Sequence, residues 1–287
     1  MTTIPTLDNF YLGIKTNKEF IRALTGEFAG TSLLVFIIDI VGAQQTLPTF
    51  GQSIITSKLS IGLVVALGIV IARKTSGSHI NPAVIVAMLT LQQIKVVTAL
   101  LYILAQLIGA FVGAAIAYFF CRSAINDFDG GIRHVTGTQG TAHIFSSYLA
   151  PHLSICGGLA DQIIGTAILV FCIIHVVDCH NNYPSWVQPF IVGLVFMIIE
   201  TVSPYNTEHS LNPACDLGPR LFTLVIGYGK ETFSFREYSW FWVPVLGPIL
   251  GGIIAGNLYR LFLRLSARPE DEYEIITRID HQPSAER

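Results

Sequence analysis

Ser78-His79-Ile80-Asn81-Pro82-Ala83 and Ser210-Leu211-Asn212-Pro213-Ala214 are two versions of one phrase, and their asparagines stand 131 positions apart in a chain of 287 residues. Each phrase belongs to a short apolar segment, Ser76 to Thr90 and Leu211 to Ile226. At about 1.5 Å per residue, neither segment can cross the ~30 Å hydrocarbon core of a bilayer. A proline suits the first position of a helix, where its missing N–H would have no partner anyway, so Asn81 and Asn212 fall at N-caps. The capping side-chain oxygen accepts a backbone N–H, which leaves the amide N–H groups of each Asn to point outward as donors. A helix N-terminus carries about half a positive charge, so two of them aimed at one point repel protons and metal cations while offering donors to a solute oxygen.

Around these segments the chain reads as membrane. Hydrophobic residues make up 52% and charged residues 13%, against roughly 25% charged in soluble domains, and the mean hydropathy is +0.58. Uncharged runs predict spans at about 20 to 41, 58 to 73, 95 to 120, 160 to 177, 186 to 202 and 240 to 263. The fold class is therefore an all-α membrane protein with six transmembrane helices plus two re-entrant half-helices. Each copy of the phrase follows two spans and precedes a third, and an odd number of spans inverts the second copy relative to the first. The half-helices then enter from opposite faces and meet near the midplane. Irregular backbone at that depth must line water or protein, which makes the carbonyls of 75–80 and 206–211 candidate rungs for a passing solute.

Eleven Lys and Arg residues fall on the face that carries both termini and six on the other, so both termini are expected in the cytoplasm. The organisation is a cytoplasmic segment 1–19, a channel domain 20–263 with repeats at about 20–120 and 160–263, and a cytoplasmic tail 264–287. No cleavable signal is evident at the start of the sequence. A net charge of −2 offers no polybasic surface for nucleic acid. Five cysteines without paired-ligand spacing argue against a metal site, with Cys121 and Cys156 left as a bridge candidate. Small-xxx-small pairs at Gly26/Gly30, Gly109/Gly113, Gly247/Gly251 and Gly252/Gly256 predict close helix crossings.

With Glu27-Phe-Ala-Gly-Thr31 in the first span, Ser76-Gly-Ser-His-Ile-Asn-Pro-Ala-Val84 and Leu211-Asn-Pro-Ala-Cys-Asp-Leu-Gly-Pro-Arg220, the sequence resembles the aquaporin family, and specifically its aquaglyceroporin branch. The resemblance runs from Glu27 to about Leu263. It implies a homotetramer in the plasma membrane with one pore per subunit, no cofactor, no catalysis, and passive flow of water, glycerol and other small neutral solutes. It also implies that Glu27 braces the first re-entrant loop, with Gln162 as its second-half counterpart, that His79 is a pore histidine on the cytoplasmic side, and that Tyr118, Asp216, Arg220 and Pro244 mark polyol permeability.

Such pores are narrowest outside the midplane, and spacing from the Asn-Pro-Ala motifs places that constriction at Ile61, Glu200, His209 and Cys215. The resemblance leads one to expect arginine where Cys215 stands, and glycine or histidine where Glu200 stands. If Glu200 is ionised, the exchange moves the filter by as much as two charge units toward the negative, and it sets a Glu beside a His, a pairing able to titrate near neutrality; the other reading of Glu200 puts it at the outer vestibule or pairs it with Arg220 or another loop base. Asp39 and Glu208 are expected to add to an acidic outer vestibule. A weakly cation- or proton-permeable channel, or a structural membrane or junction protein with incidental conduction, remain as alternatives.

Overall fold

The computed structural model describes residues 7–47, 53–202, 207 and 211–266, with side chains from 18 to 263 within those ranges. Nine α-helices are present among the described residues: α1 (Leu7–Thr46), α2 (Ile54–Ser76), α3 (Pro82–Thr90), α4 (Val96–Asp129), α5 (Ile155–Val177), α6 (Gln188–Val202), α7 (Pro213–Thr223), a single turn α8 (Glu231–Ser234) and α9 (Val243–Ser266). Five of them are long and apolar enough to span a membrane. The sixth expected span, α6, has 15 residues, roughly 22 Å of helix, and the residues just beyond it, 203–206, lie outside the described ones. The spans are also longer than their uncharged runs suggest, since α1 and α4 continue past the apolar layer and carry charged residues at their ends.

The two halves pack alike. In the first, α1 lies against α2 and α4; in the second, α5 lies against α6 and α9. The halves then interlock: α3 rests on α9, α7 rests on α4, and α2 meets α6. Each half-helix is thus seated on the last long helix of the opposite half, which brings the two Asn-Pro-Ala starts together.

The glycine pairs sit where backbones touch. A Cβ on Gly109 or Gly113 of α4 would lie 2.4 Å from the Phe28 or Ser32 carbonyl oxygen of α1, and one on Gly252 of α9 would lie 2.4 Å from the Ala83 oxygen of α3. No larger residue permits these approaches, because a hard backbone atom occupies the space. On the opposite side of α2 and α6, Leu59, Leu63, Leu67 and Val70, and Phe190, Leu194 and Ile198, form exposed apolar stripes at helical spacing. Such stripes suit lipid. All five cysteines are free thiols, so the Cys121–Cys156 bridge does not form.

Candidate functional site: a junction of two half-helices

Both asparagines cap as the sequence predicts. Asn81 Oδ1 accepts from the Ala83 N–H at 2.8 Å, and Asn212 Oδ1 accepts from the Ala214 N–H at 3.0 Å. Their amides, however, do not both point freely into a pore. Asn81 Nδ2 donates to the Leu211 carbonyl at 3.0 Å, and Asn212 Nδ2 donates to the Ile80 carbonyl at 2.8 Å. One N–H of each amide therefore stitches the two halves together. A primary amide has two N–H groups, so one per Asn is left for a solute oxygen, half the number expected.

The loop feeding α3 is bent by Gly77, Ser78 and Ile80, all at positive φ (87°, 70° and 43°). A β-branched residue such as Ile80 rarely adopts that region, and Glu27 holds it there. The fully buried Glu27 carboxylate of α1 accepts from the His79 N–H (2.9 Å), the Ile80 N–H (2.7 Å) and Gln106 Nε2 of α4 (2.7 Å). His79 Nδ1 lies 3.1 Å from Oε1, the oxygen that also accepts the His79 N–H. The second half differs: Gln162 Nε2 donates to the Thr207 hydroxyl, which in turn donates to Asp161, and Gln162 Oε1 has no partner among the described residues.

A cavity of about 330 Å³ runs from the C-terminal end of α2 to both asparagines. Val65, Ile69, Val192 and Phe196 form its apolar wall, and Ser78 and His79 its polar side. Arg73, at the end of α2, stands at its mouth and donates to the Ser185 carbonyl and to Gln188 Oε1. An apolar wall opposite a line of polar groups suits a small solute with hydroxyls on one side and carbon on the other.

Beyond the asparagines the picture departs from expectation. Ile61 is fully buried and Cys215 is 7% exposed. Glu200 is not an isolated carboxylate: its Oε2 lies 3.1 Å from Lys58 Nζ, with the two side chains 3% and 2% exposed. The inferred shift of two charge units is therefore corrected, because Lys58 restores a cation to the region. Lys58 reads in the sequence as a base at the mouth of span two; burial turns it into an ion-pair partner. Asp39 is 1% exposed, so it adds nothing to a solvent-filled vestibule. His209 and Glu208 lie outside the described residues.

Arg220, Asp216 and Tyr118 support the site without lining this cavity. Arg220 Nε pairs with Asp216 at 2.8 Å, while its Nη atoms donate to the carbonyls of Thr232 (2.7 Å) and Ser147 (2.6 Å). Asp216 also accepts from the Ser147 N–H and hydroxyl. This network ties α7 to the chain around Ser147 and leaves Arg220 no role as a partner of Glu200. The Tyr118 hydroxyl accepts from Arg133 Nη2 at 2.8 Å, and Arg133 pairs with Asp129. A single group of residues among those described could hold a metal, the adjacent Asp178, Cys179 and His180 on the loop after α5. It is largely exposed, and Asp178 is already engaged by the Tyr259 hydroxyl at 2.6 Å.

Sequence reading missed Lys58, Gln106 and the crossing of α2 on α6. That crossing rests on Gly62 and Gly193, where an added Cβ would come within 2.7 Å and 2.3 Å of the other's carbonyl oxygen. These glycines are separated by the same 131 residues as the asparagines, a signal that was available.

Comparison with known proteins agrees with this geometry. The family model described as Major intrinsic protein matches residues 15–259. Aquaglyceroporin-2 of Rhizophagus irregularis is 40% identical, over 87% of this chain and 78% of its own length. Aquaporin-9 of Homo sapiens is 37% identical, over 83% of this chain and 81% of its own. The X-ray structure of the aquaglyceroporin from Plasmodium falciparum superposes with a TM-score of 0.76 at 29% identity, covering 84% of this chain and 95% of that one. The family match over residues 15–259, the relatives at 37% and 40% identity and the structural likeness agree, and the chain belongs to the major intrinsic protein family.

Proposed function

We propose that the protein is a passive, bidirectional channel for water, glycerol and other small neutral solutes. The observation that carries this reading is the cavity that reaches Asn81 and Asn212, with polar groups on one side and aliphatic or aromatic groups on the other. A polyol can trade its water for those polar groups one hydroxyl at a time while its carbons pass along Val65, Ile69, Val192 and Phe196. The asparagine stitch supports cation exclusion, since the N-termini of α3 and α7 both point their positive ends at the junction. On this reading the outer constriction lies at Ile61, Glu200, His209 and Cys215, with no arginine in it. It acts as a homotetramer in the plasma membrane, with both termini cytoplasmic, in keeping with the excess of Lys and Arg on that face.

The test is stopped-flow light scattering of proteoliposomes. Protein-containing vesicles shrink quickly in an impermeant osmolyte and re-swell quickly in glycerol; vesicles no leakier to glycerol than protein-free ones would overturn the reading. The same assay on either side of neutrality examines a titratable filter. A glycerol rate that changes with pH in wild type but not in Glu200→Gln supports it, and a rate indifferent to pH counts against it. Mass measurement of the detergent-solubilised particle distinguishes four subunits from one.

A further inference from the structure

The cavity that reaches the asparagines has a charged end. Its lining includes the Arg73 guanidinium and the His79 ring but no carboxylate. Asp178, which follows the lining residue Val177, is engaged by the Tyr259 hydroxyl and the His180 ring, and Glu27 faces the loop amides and His79. Arg73 itself donates to two neutral oxygens, the Ser185 carbonyl and Gln188 Oε1. Among the described residues no acid pairs with it, so its charge stands uncancelled at the mouth. The guanidinium is also held in place: Gln188 Nε2 donates to the Tyr183 carbonyl at 3.0 Å, which fixes the amide that Arg73 bonds at 2.7 Å. A guanidinium has five N–H donors, and with two of them on Ser185 and Gln188, three remain.

We propose that this end of the pore is a binding site for a small anionic polyol, a short hydroxylated chain ending in a phosphate or a carboxylate, whose occupancy blocks conduction. This rests on the reading of the protein as a neutral-solute channel. A planar cation with spare donors grips either head group through two parallel hydrogen bonds, and because the loop already fixes it, little freedom is lost on binding. Arg73 and Ile69 line the cavity four residues apart on α2, so a ligand anchored on Arg73 meets Ile69 about 6 Å further in. There its carbons have the apolar wall, and its hydroxyls have the polar side at Ser78 and His79. The charge that anchors the molecule also stops it from crossing. Beyond Arg73 the wall is Ile69, Val65, Val192 and Phe196, and an anion moving along it sheds water without gaining a paired charge. A neutral polyol has no such barrier. Anions of this class arise by phosphoryl transfer to the conducted polyol or by oxidation of its terminal alcohol, so the product of either reaction slows entry of its own precursor.

The experiment measures glycerol flux by stopped flow on proteoliposomes of wild type, Arg73→Gln and Arg73→Lys. Each is assayed alone and with glycerol 3-phosphate, glycerate or inorganic phosphate, held at equal concentration on both sides so that the anion reaches the mouth in either orientation. With a dissociation constant of about 1 mM, a concentration of about 10 mM is expected to slow wild-type flux about tenfold. Inorganic phosphate, which has no chain to lay in the cavity, should slow it less than twofold. Comparing each variant with itself, Arg73→Gln should lose the block and Arg73→Lys should keep part of it. Block by the ester alone or by glycerate alone identifies the head group within the proposal. Wild-type flux indifferent to both organic anions would overturn it, as would an equal block in Arg73→Gln or an equal block by inorganic phosphate. Titration calorimetry of solubilised wild type with glycerol 3-phosphate reads the site directly if the variants do not fold, and absence of binding there overturns the proposal as well. A wrong channel reading shows separately, as absent glycerol flux in wild type before any anion is added.

Discussion

Replacing Glu27 by alanine should loosen the first half-helix more than any other single change inside the membrane layer. The carboxylate is fully buried and accepts from two backbone N–H groups and Gln106 Nε2, at 2.7 to 2.9 Å. Alanine leaves these three donors buried without acceptors, at about 1 to 3 kcal/mol each, so the loss is on the order of 5 kcal/mol. It also frees Ile80 from φ 43°, a strained conformation costing about 1 to 3 kcal/mol. Release of that strain moves the Ile80 carbonyl away from Asn212 Nδ2 and removes one of the two stitches between the halves. Glu27→Gln is the instructive intermediate. Its oxygen can still accept from the loop, and its NH₂ can donate to Gln106 Oε1, which has no partner among the described residues. It should lose about half as much. The assays are thermal melting of the detergent-solubilised protein and hydrogen exchange at the Ile80 amide, where a loss of about 5 kcal/mol speeds exchange by between about three and four orders of magnitude. Unchanged protection at Ile80 in Glu27→Ala would refute the claim that Glu27 holds this loop.

Other changes probe the remaining contacts. Gly193→Ala forces a Cβ to within 2.3 Å of the Gly62 oxygen and should destabilise by about 1 to 3 kcal/mol, seen as a lower melting midpoint; an unaltered midpoint would mean α2 and α6 can separate freely. If Cys215 belongs to the proposed constriction, Cys215→Arg puts a bulky cation there and should slow glycerol far more than water; unchanged glycerol flux would count against that assignment. Asp178, on the loop after α5, is pulled upward by burial, but hydrogen bonds from Tyr259 and from the His180 N–H and ring outweigh this and hold its carboxyl below the ordinary value. A carboxylate so held stabilises the fold fully above its usual range near pH 4 and loses that contribution as the pH falls through its lowered value. Asp178→Asn should therefore flatten the acid limb of a melting-temperature profile, and a limb as steep as wild type's would show that these bonds add nothing.

Much of the architecture was legible because bilayer physics leaves few options. Uncharged runs located the spans, and the repeated Asn-Pro-Ala phrase located both half-helices and implied their inversion. What escaped were properties of packing. Lys58 borders an uncharged run, which on hydropathy alone marks a helix end near water; its burial follows from α6 placing Glu200 opposite it, a pairing 142 residues apart. The amide stitch escaped for a related reason. Capping chemistry dictates where the Asn oxygen goes, whereas the N–H groups go to whatever carbonyl the other half presents. Arg220 entered the reading only as a mark of polyol permeability, but four residues after Asp216 on one helix it closes a buried i, i+4 pair. The sixth span came within two residues, since α6 starts at Gln188 rather than 186.

The central claim is that water and glycerol share the path past Val192 to the paired asparagines. Val192 is 4% exposed, lines the cavity and has no hydrogen-bonding side-chain group, so Val192→Trp is expected to fill the path while leaving the hydrogen bonds of Asn81, Asn212 and Glu27 in place. Water and glycerol permeabilities should be measured by stopped flow on proteoliposomes of wild type and Val192→Trp at matched protein density. The account predicts fast flux of both solutes in wild type, and loss of both together, to the level of protein-free vesicles, in a variant that still melts cooperatively. Undiminished flux through folded Val192→Trp would place the conduction path elsewhere and contradict it.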